Sequence, residues 1–478
     1  MTGSGPIDSH DAIGLAELVR TRAVSPTELL DDAIRRVEAT NPAFNFMAQE
    51  HYDFARRAIG QGLPEGPFTG VPWLLKDLHT YIEGEVTENG SRLYRDYRAP
   101  VTSELVRRYQ QAGFVIFGKT TTPEFGLTGT TESTLYGATR NPWNTGHIAG
   151  GSSGGAAAAV AAGVIPAAHA SDGGGSIRIP ASCCGLFGMK PSRGRVPMGP
   201  LRTEGWGGLS TNHAITRSVR DSAAILDASW GLEPGSRYGA PPPEGGTYLE
   251  QVTREPGQLR VALMTDPFGH SPVDPQCVEA ARAAARLCES LGHVVEEAAP
   301  VIDAAQLGFA SFAIMGPSMA VDLLDRARLL GIELGPDVLE PITLGFVQYG
   351  QSFSGMDFAR ANSILQSAAI TMGQFMQDYD VILTPTVAAP PLELGQISLT
   401  PGVDFETWGQ RAAVFTPFTQ IANHTGQPAM SVPLAMSDAG LPIGVHFIGR
   451  YGAEDLLFRL AGQLERAAPW HDRRPPIA

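Results

Sequence analysis

Basic residues, cysteines and long apolar segments are all scarce in this 478-residue sequence. Lysine and arginine number 35 against 49 aspartates and glutamates, and the net charge of −14 disfavours binding to a nucleic-acid backbone. The longest apolar run, residues 156–165, is too short to cross a bilayer. The N-terminus has no basic segment followed by an apolar one, so no signal peptide is predicted. We expect a soluble, cytoplasmic protein with neither nucleic acid nor membrane as a partner.

The four cysteines argue against a structural metal site. Cys183 and Cys184 are adjacent, and Cys277 and Cys288 follow far downstream, none of them in a CxxC motif or a Cys/His cluster. We therefore expect reduced, buried thiols, with no metal ion and no cofactor.

Helical and strand patterns alternate along the chain, which is 43% hydrophobic and so able to bury a sizeable core. Ser25-Pro26-Thr27-Glu28 is a capping box with proline at the first helical position, and it predicts a helix start. Further helices are predicted at 103–113, 275–292 and 453–467, and across much of 301–374. Strands are predicted at 71–78, 114–118, 259–265, 380–385 and 442–449. This alternation indicates an α/β fold.

Two motifs among the small residues of the first half have alternative interpretations. Gly113 to Thr120 fits the phosphate-loop pattern GxxxxGK[ST], but its Phe-Val-Ile-Phe centre predicts a buried strand and not an open loop. Gly150 to Gly154 fits the nucleophile elbow GxSxG around Ser152, although no apolar strand precedes it. Late histidines are available as a base, so an α/β-hydrolase-like esterase stays open: His424, His446 and His471.

A third constellation combines a lysine with two serines. Lys76 lies within the apolar run VPWLLKDL, where burial would lower its pKa and make it a usable base. Ser152 stands in the GGSSGG run, and Ser176 follows three glycines in ASDGGGSIRIP. Taken singly, the lysine fits a surface charge and the serines fit turns. Together they favour serine–lysine catalysis.

The segment around these serines resembles the amidase signature family of serine hydrolases. Residues 150–196 carry the resemblance, GGSSGGAAAAVAAGVIPAAHASDGGGSIRIPASCCGLFGMKPSRGRV. Other matching stretches follow in the family's order: GVPWLLKDL (70–78), GFVIFGKTTTPEFG (113–126), GATRNPWN (137–144), ITRSVRDSAAILD (215–227), YDVILTPT (379–386) and TGQPAMSVPLAMSDAGLPIGVHFIGRYGAEDLL (425–457). The resemblance covers nearly the whole chain and is weakest across 228–257 and 301–374.

The resemblance implies a triad without histidine. Ser176 aligns with the nucleophile, Lys76 with the base, and Ser152 with a bridging serine that follows a cis peptide bond in the family. Backbone N–H groups would hold the oxyanion, namely those of Gly173, Gly174, Gly175 and Ser176. Three residues would support the loop: Asp172, Arg178 and Ser153. Departures from the family pattern include Ala170 and Ser171 before Asp172, where glycine and threonine are usual.

The implied fold is one large α/β domain over 1–478, with a central mixed, twisted sheet covered by helices on both faces. The signature core would span about 70–227 and 375–460, and the helical segment 301–374 would shape the substrate pocket. That segment holds an apolar set at helical spacing, which is either ordinary core or the pocket wall: Phe309, Phe312, Met315 and Met319. A homodimer is the expected oligomer.

The resemblance implies hydrolysis of a small amide or carbamate. The whole-chain pattern is most similar to the branch that hydrolyses oligoamides, aryl amides and carbamates, including urethanases and aryl acylamidases. The acidic charge and the lack of a basic clamp favour neutral, hydrophobic substrates. A glutamine amidotransferase A-type subunit that works only in a complex is the alternative within the family. A non-catalytic binding member is a further alternative.

Overall fold

The computed structural model describes residues 5–269, 271–400 and 402–476. Within them the first helices are α1 (Pro6–Ser9), α2 (Ala12–Arg20), α3 (Pro26–Phe44), α4 (Tyr52–Gln61), α5 (Glu104–Gln111), α6 (Gly154–Ala161), α7 (Arg178–Cys184) and α8 (Val219–Ser229). The later helices are α9 (Tyr248–Gln251), α10 (Pro275–Ser290), α11 (Ala304–Leu330), α12 (Pro341–Gln351), α13 (Gly355–Phe375), α14 (Phe405–Phe415), α15 (Ile421–Thr425) and α16 (Glu454–Ala467).

The strands of the described chain are β1 (Met47–Glu50), β2 (Pro72–Lys76), β3 (Val115–Thr120), β4 (Glu132–Ser133), β5 (Gly137–Ala138), β6 (Arg140–Asn141), β7 (Asn144–Ile148), β8 (Ala167–Asp172), β9 (Phe187–Lys190), β10 (Thr211–Thr216), β11 (Arg260–Leu263), β12 (Val294–Glu297), β13 (Val381–Pro385), β14 (Ala429–Met436) and β15 (Pro442–Gly449). Short 3-10 helices lie at Arg92–Tyr94, Glu124–Gly126 and Trp206–Gly208.

Eight strands form the central sheet, in the order β12-β11-β13-β15-β14-β9-β10-β8. The pairs β12–β11 and β11–β13 are parallel, and the remaining pairs are antiparallel, so the sheet is mixed as predicted. A second sheet of order β1-β3-β2 lies beside it. The Lys76 backbone N–H donates a 3.2 Å hydrogen bond to Nδ1 of His169, which joins the end of β2 to β8. This junction brings Lys76 close to the loop that follows β8.

Both faces of the central sheet are covered, because neighbouring residues of a strand point to opposite sides. In β13, Val381 and Leu383 belong to the main core together with buried residues of α10 and α16. Ile382, between them, packs into a second core with residues of α11 and α13. The predicted covering of the sheet by helices on both faces is therefore confirmed.

Local sequence signals explain several element boundaries. The predicted capping box starts α3, where the Ser25 hydroxyl accepts from the Glu28 N–H and the Glu28 carboxylate accepts from the Ser25 N–H. The predicted strand 442–449 is β15 with the same ends. The predicted helical segment 301–374 holds α11, α12 and α13.

Among the described residues, α11 alone is long and apolar enough to cross a membrane by length and composition. Half of its most apolar 18-residue window is buried within the fold. Its buried residues include Ile314, which packs with residues of α13 in the second core, and Leu323, which packs with residues of α12 in another cluster. The apolar character of α11 therefore serves packing within the fold.

Candidate active site

The end of β2 places Lys76 in the interior, fully buried. Its Nζ lies 2.7 Å from Oγ of Ser152 and 3.0 Å from Oγ of Ser171. Burial lowers the pKa of Lys76 to about 7, although the charge of Asp172 acts to raise it. A lysine with this pKa is partly neutral near pH 7. The neutral amine can take a proton from a hydroxyl at hydrogen-bond distance.

Ser152 lies between a tight turn and a buried helix. The Gly151–Ser152 peptide bond is cis, and α6 begins two residues later at Gly154. Ser152 is 1% exposed. A Cβ atom on Gly126 would stand 3.0 Å from Oγ of Ser152, and Gly126 itself lines a cavity. The Ser152 hydroxyl therefore lies directly behind the wall of that cavity.

Asp172 and Arg178 form a buried ion pair at the start of the glycine loop. Nε and Nη2 of Arg178 each donate a 2.9 Å hydrogen bond to the Asp172 carboxylate. Asn423 also donates to this carboxylate, at 2.9 Å. Burial acts to raise the pKa of Asp172, but the charge and hydrogen bonds of Arg178 outweigh it and hold that pKa well below its ordinary value. These contacts indicate that Asp172 and Arg178 hold the glycine loop in place.

The glycine loop presents three amides and not four. The Gly175 N–H donates to Oδ1 of Asp172 at 2.7 Å, so it is not free for an oxyanion, which corrects the predicted set. The amides of Gly173, Gly174 and Ser176 donate no hydrogen bond within the described chain. The same three residues line the cavity. They are the N–H groups available to a bound carbonyl oxygen.

The cavity has a volume of about 200 Å³ and is lined only by uncharged residues. The wall is supplied by the β3–β4 and β9–β10 connections, the glycine loop with the start of α7, and the helices α11, α12, α14 and α15 with their flanking residues. Its members are Gly126, Leu127, Thr128, Gly129, Gly173, Gly174, Ser176, Ile179, Trp206, Leu209, Gly308, Ser311, Phe312, Met315, Phe346, Trp408, Gly409, Ala412, Ala413, Thr416, Gln420 and His424.

Of the four predicted pocket residues, Phe312 and Met315 line the cavity and two lie elsewhere. The cavity face of α11 runs through Gly308, Ser311, Phe312 and Met315, an i, i+3, i+4, i+7 series. Phe309, one residue off this face, makes an edge contact with Phe353. Met319, one turn beyond Met315, is buried in an apolar cluster. Helical spacing identified the right region of α11 and two of the residues that face the cavity, but missed Gly308 and Ser311.

The predicted support residue Ser153 holds the strand that carries Ser171. Oγ of Ser153 donates to the Ser171 carbonyl at 3.2 Å and accepts from the Ser171 N–H at 3.3 Å. Sequence reasoning noted Ser171 only as a departure from the family pattern and did not predict its contact with Lys76. The sequence feature that could have indicated this contact is a hydroxyl side chain directly before Asp172, in the strand that ends at the glycine loop.

Within the described residues, no hydrogen bond joins the hydroxyls of Ser152 and Ser176. The structure brings Lys76, Ser152 and Ser171 into contact and places Ser176 on the adjoining cavity wall.

Neither the GxxxxGK[ST] match nor the GxSxG match forms the site that its pattern predicts. Lys119 lies in β3, fully buried, and its Nζ donates to the Thr80 carbonyl at 2.8 Å, so the GxxxxGK[ST] match is a strand and not a phosphate loop. No histidine of the described chain is hydrogen-bonded to Ser152. His446 contacts Arg178 and Thr384, and His471 lies near Asp472 at the surface. The elbow interpretation therefore lacks its base.

A second cavity, of about 710 Å³, lies on the other side of α14. Gln410, Arg411, Val414 and Phe415 of α14 line it, whereas Trp408, Gly409, Ala412 and Ala413 line the first cavity. A Cβ atom on Gly129, in the first cavity, would stand 3.7 Å from Ile397 and 3.8 Å from Phe415. At this point the partition is thin and consists of the Gly129 backbone with the side chains of Ile397 and Phe415 behind it.

In residues 5–269, 271–400 and 402–476, no group of three or more His, Cys, Asp or Glu side chains is placed to hold a metal ion. The four cysteines are free and buried, and burial raises the pKa of each thiol.

Comparison with known proteins agrees with this geometry. The family model described as Amidase matches residues 28–458. The 6-aminohexanoate-cyclic-dimer hydrolase of Paenarthrobacter ureafaciens is 40% identical over 485 residues, covering 98% of this chain and 97% of that protein. A solved structure of 6-aminohexanoate cyclic dimer hydrolase complexed with substrate gives a TM-score of 0.93 at 39% identity, covering 98% of this chain and 99% of that one.

A bacterial aryl acylamidase structure, described as belonging to the amidase signature enzymes, gives a TM-score of 0.86 at 28% identity. The match covers 98% of each chain. The fold and the sequence thus agree over nearly the whole length, and this chain belongs to the amidase signature family.

Proposed function

We propose that this chain hydrolyses the C–N bond of neutral, hydrophobic amides, including anilides, oligoamides and carbamates, through an acyl-enzyme on Ser176. The observation that carries the proposal is the 2.7 Å contact between Nζ of a buried Lys76 and Oγ of Ser152, directly behind the cavity that presents Ser176. The relatives named above act on a cyclic oligoamide and on aryl acylamides, which supports these substrate types.

The proton path begins at neutral Lys76. Its Nζ takes the proton of the Ser152 hydroxyl as Ser152 takes the proton of Ser176, and the Ser176 oxygen attacks the substrate carbonyl carbon. This step requires the Ser176 hydroxyl to reach Ser152 in the substrate complex, where catalytic hydrogen bonds shorten relative to the free enzyme. Ser171 keeps Nζ in place by accepting a second hydrogen bond.

The glycine loop would stabilise the oxyanion. The free amides belong to Gly173, Gly174 and Ser176, which line the cavity, and each donor to an oxyanion is worth roughly 3 kcal/mol of barrier. Collapse of the tetrahedral intermediate breaks the C–N bond, and the proton held by the lysine–serine pair passes to the leaving nitrogen. Water then attacks the acyl carbon, gives its proton to the same pair and releases the carboxylic acid. Ser176 recovers the proton.

The uncharged wall selects against glutamine. A free amino acid brings an ammonium and a carboxylate, and burying them without partners of opposite charge is costly. Because the cavity is lined by no Asp, Glu, Lys or Arg, the amidotransferase alternative is disfavoured. An esterase centred on Ser152 is disfavoured as well, since Ser152 is buried and its partner is a lysine.

The test is labelling with a fluorophosphonate probe, followed by peptide mass spectrometry and assay of amides, esters and carbamates. We expect an adduct on Ser176 and cleavage of p-nitroanilides by the isolated chain. An adduct on Ser152 would overturn the assigned roles. Activity on glutamine alone, or only in the presence of a partner, would favour the amidotransferase.

The cytoplasmic location, the single-domain organisation and the homodimer stay predictions from the sequence.

A further inference from the structure

Gln420 brings a free carboxamide into the active-site cavity. The residue lines the cavity and is exposed, so solvent and ligands reach its side chain. It is the N-cap residue of α15, yet its side chain makes no capping hydrogen bond, and Oε1 and Nε2 have no other partner within the described chain. Both N–H groups and the carbonyl oxygen of this side chain are therefore free to bind a ligand.

Most other polar side chains of the wall are already bonded within the fold. Thr128, Ser311 and Thr416 each donate their single hydroxyl proton to a backbone carbonyl, at 2.7, 3.0 and 3.0 Å. Nε1 of Trp408 donates to a backbone carbonyl at 3.2 Å, and Nε2 of His424 lies 2.6 Å from the Ser311 hydroxyl. These groups shape the wall and offer no free N–H to a substrate.

Trp206 also lines the cavity, and its Nε1 has no partner in the described residues. Its benzene ring is the part that faces the glycine loop, because a Cβ atom on Gly173 would stand 2.6 Å from Cζ3 and 2.7 Å from Cε3. Nε1 belongs to the five-membered ring and lies away from that contact. Apart from Ser176 itself, Gln420 is therefore the wall residue that has a free polar side chain beside the glycine loop.

The backbone at Gln420 is fixed to the glycine loop. The hydroxyl of the preceding Thr419 donates to the Gly174 carbonyl at 2.7 Å, and Nη1 of Arg178 donates to the Thr419 carbonyl at 2.7 Å. The Gln420 carbonyl accepts from the Asn423 N–H at 2.9 Å within α15. Only the side chain of Gln420 is left free to rotate against the loop.

The end of this side chain lies close to an amide of the loop. Cγ and Cδ of Gln420 would stand 3.5 and 4.0 Å from a Cβ atom on Gly174, and Nε2 is one bond beyond Cδ. The Gly174 N–H is one of the three that donate no hydrogen bond within the described chain. An oxygen that accepts from it lies about 2.9 Å from the nitrogen, which puts that oxygen within reach of the rotating carboxamide.

We propose that Nε2–H of Gln420 donates a hydrogen bond to the substrate carbonyl oxygen as negative charge develops on it. A side-chain amide then holds the oxyanion together with the backbone amides, and Gln420 is a catalytic residue. The inference rests on the proposed function, because it adds a donor to the same reaction. The bond is stronger to an oxyanion than to a neutral carbonyl, so it lowers the barrier more than it strengthens substrate binding.

The first test is Gln420→Met, which keeps the length of the side chain and removes its hydrogen-bonding groups. We expect kcat for a p-nitroanilide to fall about 10- to 100-fold with little change in KM. Gln410→Met is the matched control. Gln410 is also exposed and without a side-chain hydrogen bond in the described chain, but it lines the second cavity, on the other side of α14. Its kcat should stay at the native value.

Gln420→Glu separates donation from acceptance. At about pH 8 the new carboxylate is ionised, cannot donate and repels an oxyanion, so kcat should fall at least as far as in Gln420→Met. If the oxygen of Gln420 instead accepted the N–H of the leaving group, the carboxylate would be the better acceptor and kcat would be kept or raised. That result would overturn the inference. Gln410→Glu controls for the added charge.

A trifluoromethyl ketone with the acyl group of the anilide tests the oxyanion directly. The Ser176 oxygen adds to the ketone carbon, the serine proton passes through Ser152 to Lys76, and the ketone oxygen becomes the anion. We expect its inhibition constant to rise in Gln420→Met by about the factor by which kcat falls. In the Ser176→Ala protein, which forms no adduct, adding Gln420→Met should leave the affinity for the anilide unchanged.

The ketone also distinguishes this inference from the proposed function. If the native chain cleaves the anilide but Gln420→Met keeps kcat within about threefold, or keeps the affinity for the ketone, the inference fails and the proposed function stands. If the native chain cleaves no amide but forms the ketone adduct, and Gln420→Met weakens that adduct, the proposed function fails and the inference stands. A native chain that does neither overturns both.

Discussion

The amide of Gly175 donates a 2.7 Å hydrogen bond to the carboxylate of Asp172, so the third glycine of the run serves the loop and not the cavity. Gly175 has φ +135°, a conformation that glycine adopts readily and other residues rarely do. A Cβ atom there would also stand 2.4 Å from the Thr419 hydroxyl. The loop is therefore held by its third glycine, while the first two present free amides.

Asp172→Asn should lower the free energy of unfolding by about 3–5 kcal/mol, because it leaves the buried Arg178 guanidinium without its counter-charge. Urea denaturation followed by fluorescence would measure the change. Asp325→Asn is the control, since its ion pair with Arg328 is exposed and should contribute little. A loss no larger than that of the control would contradict the structural role of Asp172.

The pH dependence of hydrolysis should report Lys76. Its folded pKa is lowered to about 7, so the neutral base predominates above that pH and the ammonium below it. We expect kcat/KM for a p-nitroanilide to rise through about pH 7, to level off above it, and to fall roughly tenfold per unit on the acid side. Lys76→Met should reduce kcat/KM on the order of 1000-fold. A flat profile from pH 5 to 9 would argue against lysine as the base.

Ser171→Ala should shift this pH profile toward acid. The Ser171 hydroxyl accepts from Nζ of Lys76 at 3.0 Å and favours the ammonium over the neutral amine. Without it, the pKa of Lys76 falls further, and the inflection moves down by up to about one pH unit. Ser153→Ala is the matched control, because its hydroxyl bonds the Ser171 backbone and not Nζ. An unmoved inflection in Ser171→Ala shows that this contact does not tune the lysine.

Gly126→Ala should impair catalysis through Ser152. The new methyl group would stand 2.8 Å from the Leu78 side chain and 3.0 Å from Oγ of Ser152, at φ +72°. Displacing the serine by up to about 1 Å should reduce kcat/KM by up to about 100-fold. Gly163→Ala shares the backbone conformation, at φ +75°, but meets nothing within 4 Å. Equal activity losses in both variants would assign the effect to backbone strain alone.

The strands and helices with strong local signals were predictable from the sequence. The capping box at Ser25 and the apolar runs that became β2 and β15 carry their information in adjacent residues. By contrast, β8 (Ala167–Asp172) was not predicted, because Ala-Ala-His-Ala-Ser-Asp has no strong strand preference. It forms a strand through its pairing with β10, which lies further along the chain. The helix α14 was missed as well.

The residues of the candidate site likewise fall into those that local motifs predict and those that they do not. Lys76, Ser152 and Ser176 stand in motifs long enough to identify from the sequence. The contact of Ser171 with Lys76 joins residues 95 positions apart, and the pairing of Ser311 with His424 joins residues 113 positions apart. Such pairs depend on how α11 and the sheet are packed, which no local pattern specifies.

The thin partition beside α14 has a consequence for enzyme engineering. Ile397 and Phe415 separate the two cavities opposite Gly129, and both are apolar side chains within one cluster that also includes Ile179. Shortening them leaves no polar group without a partner. Trimming these two side chains would extend the space of about 710 Å³ as far as the Gly129 backbone, which would then be the wall between that space and the reaction cavity.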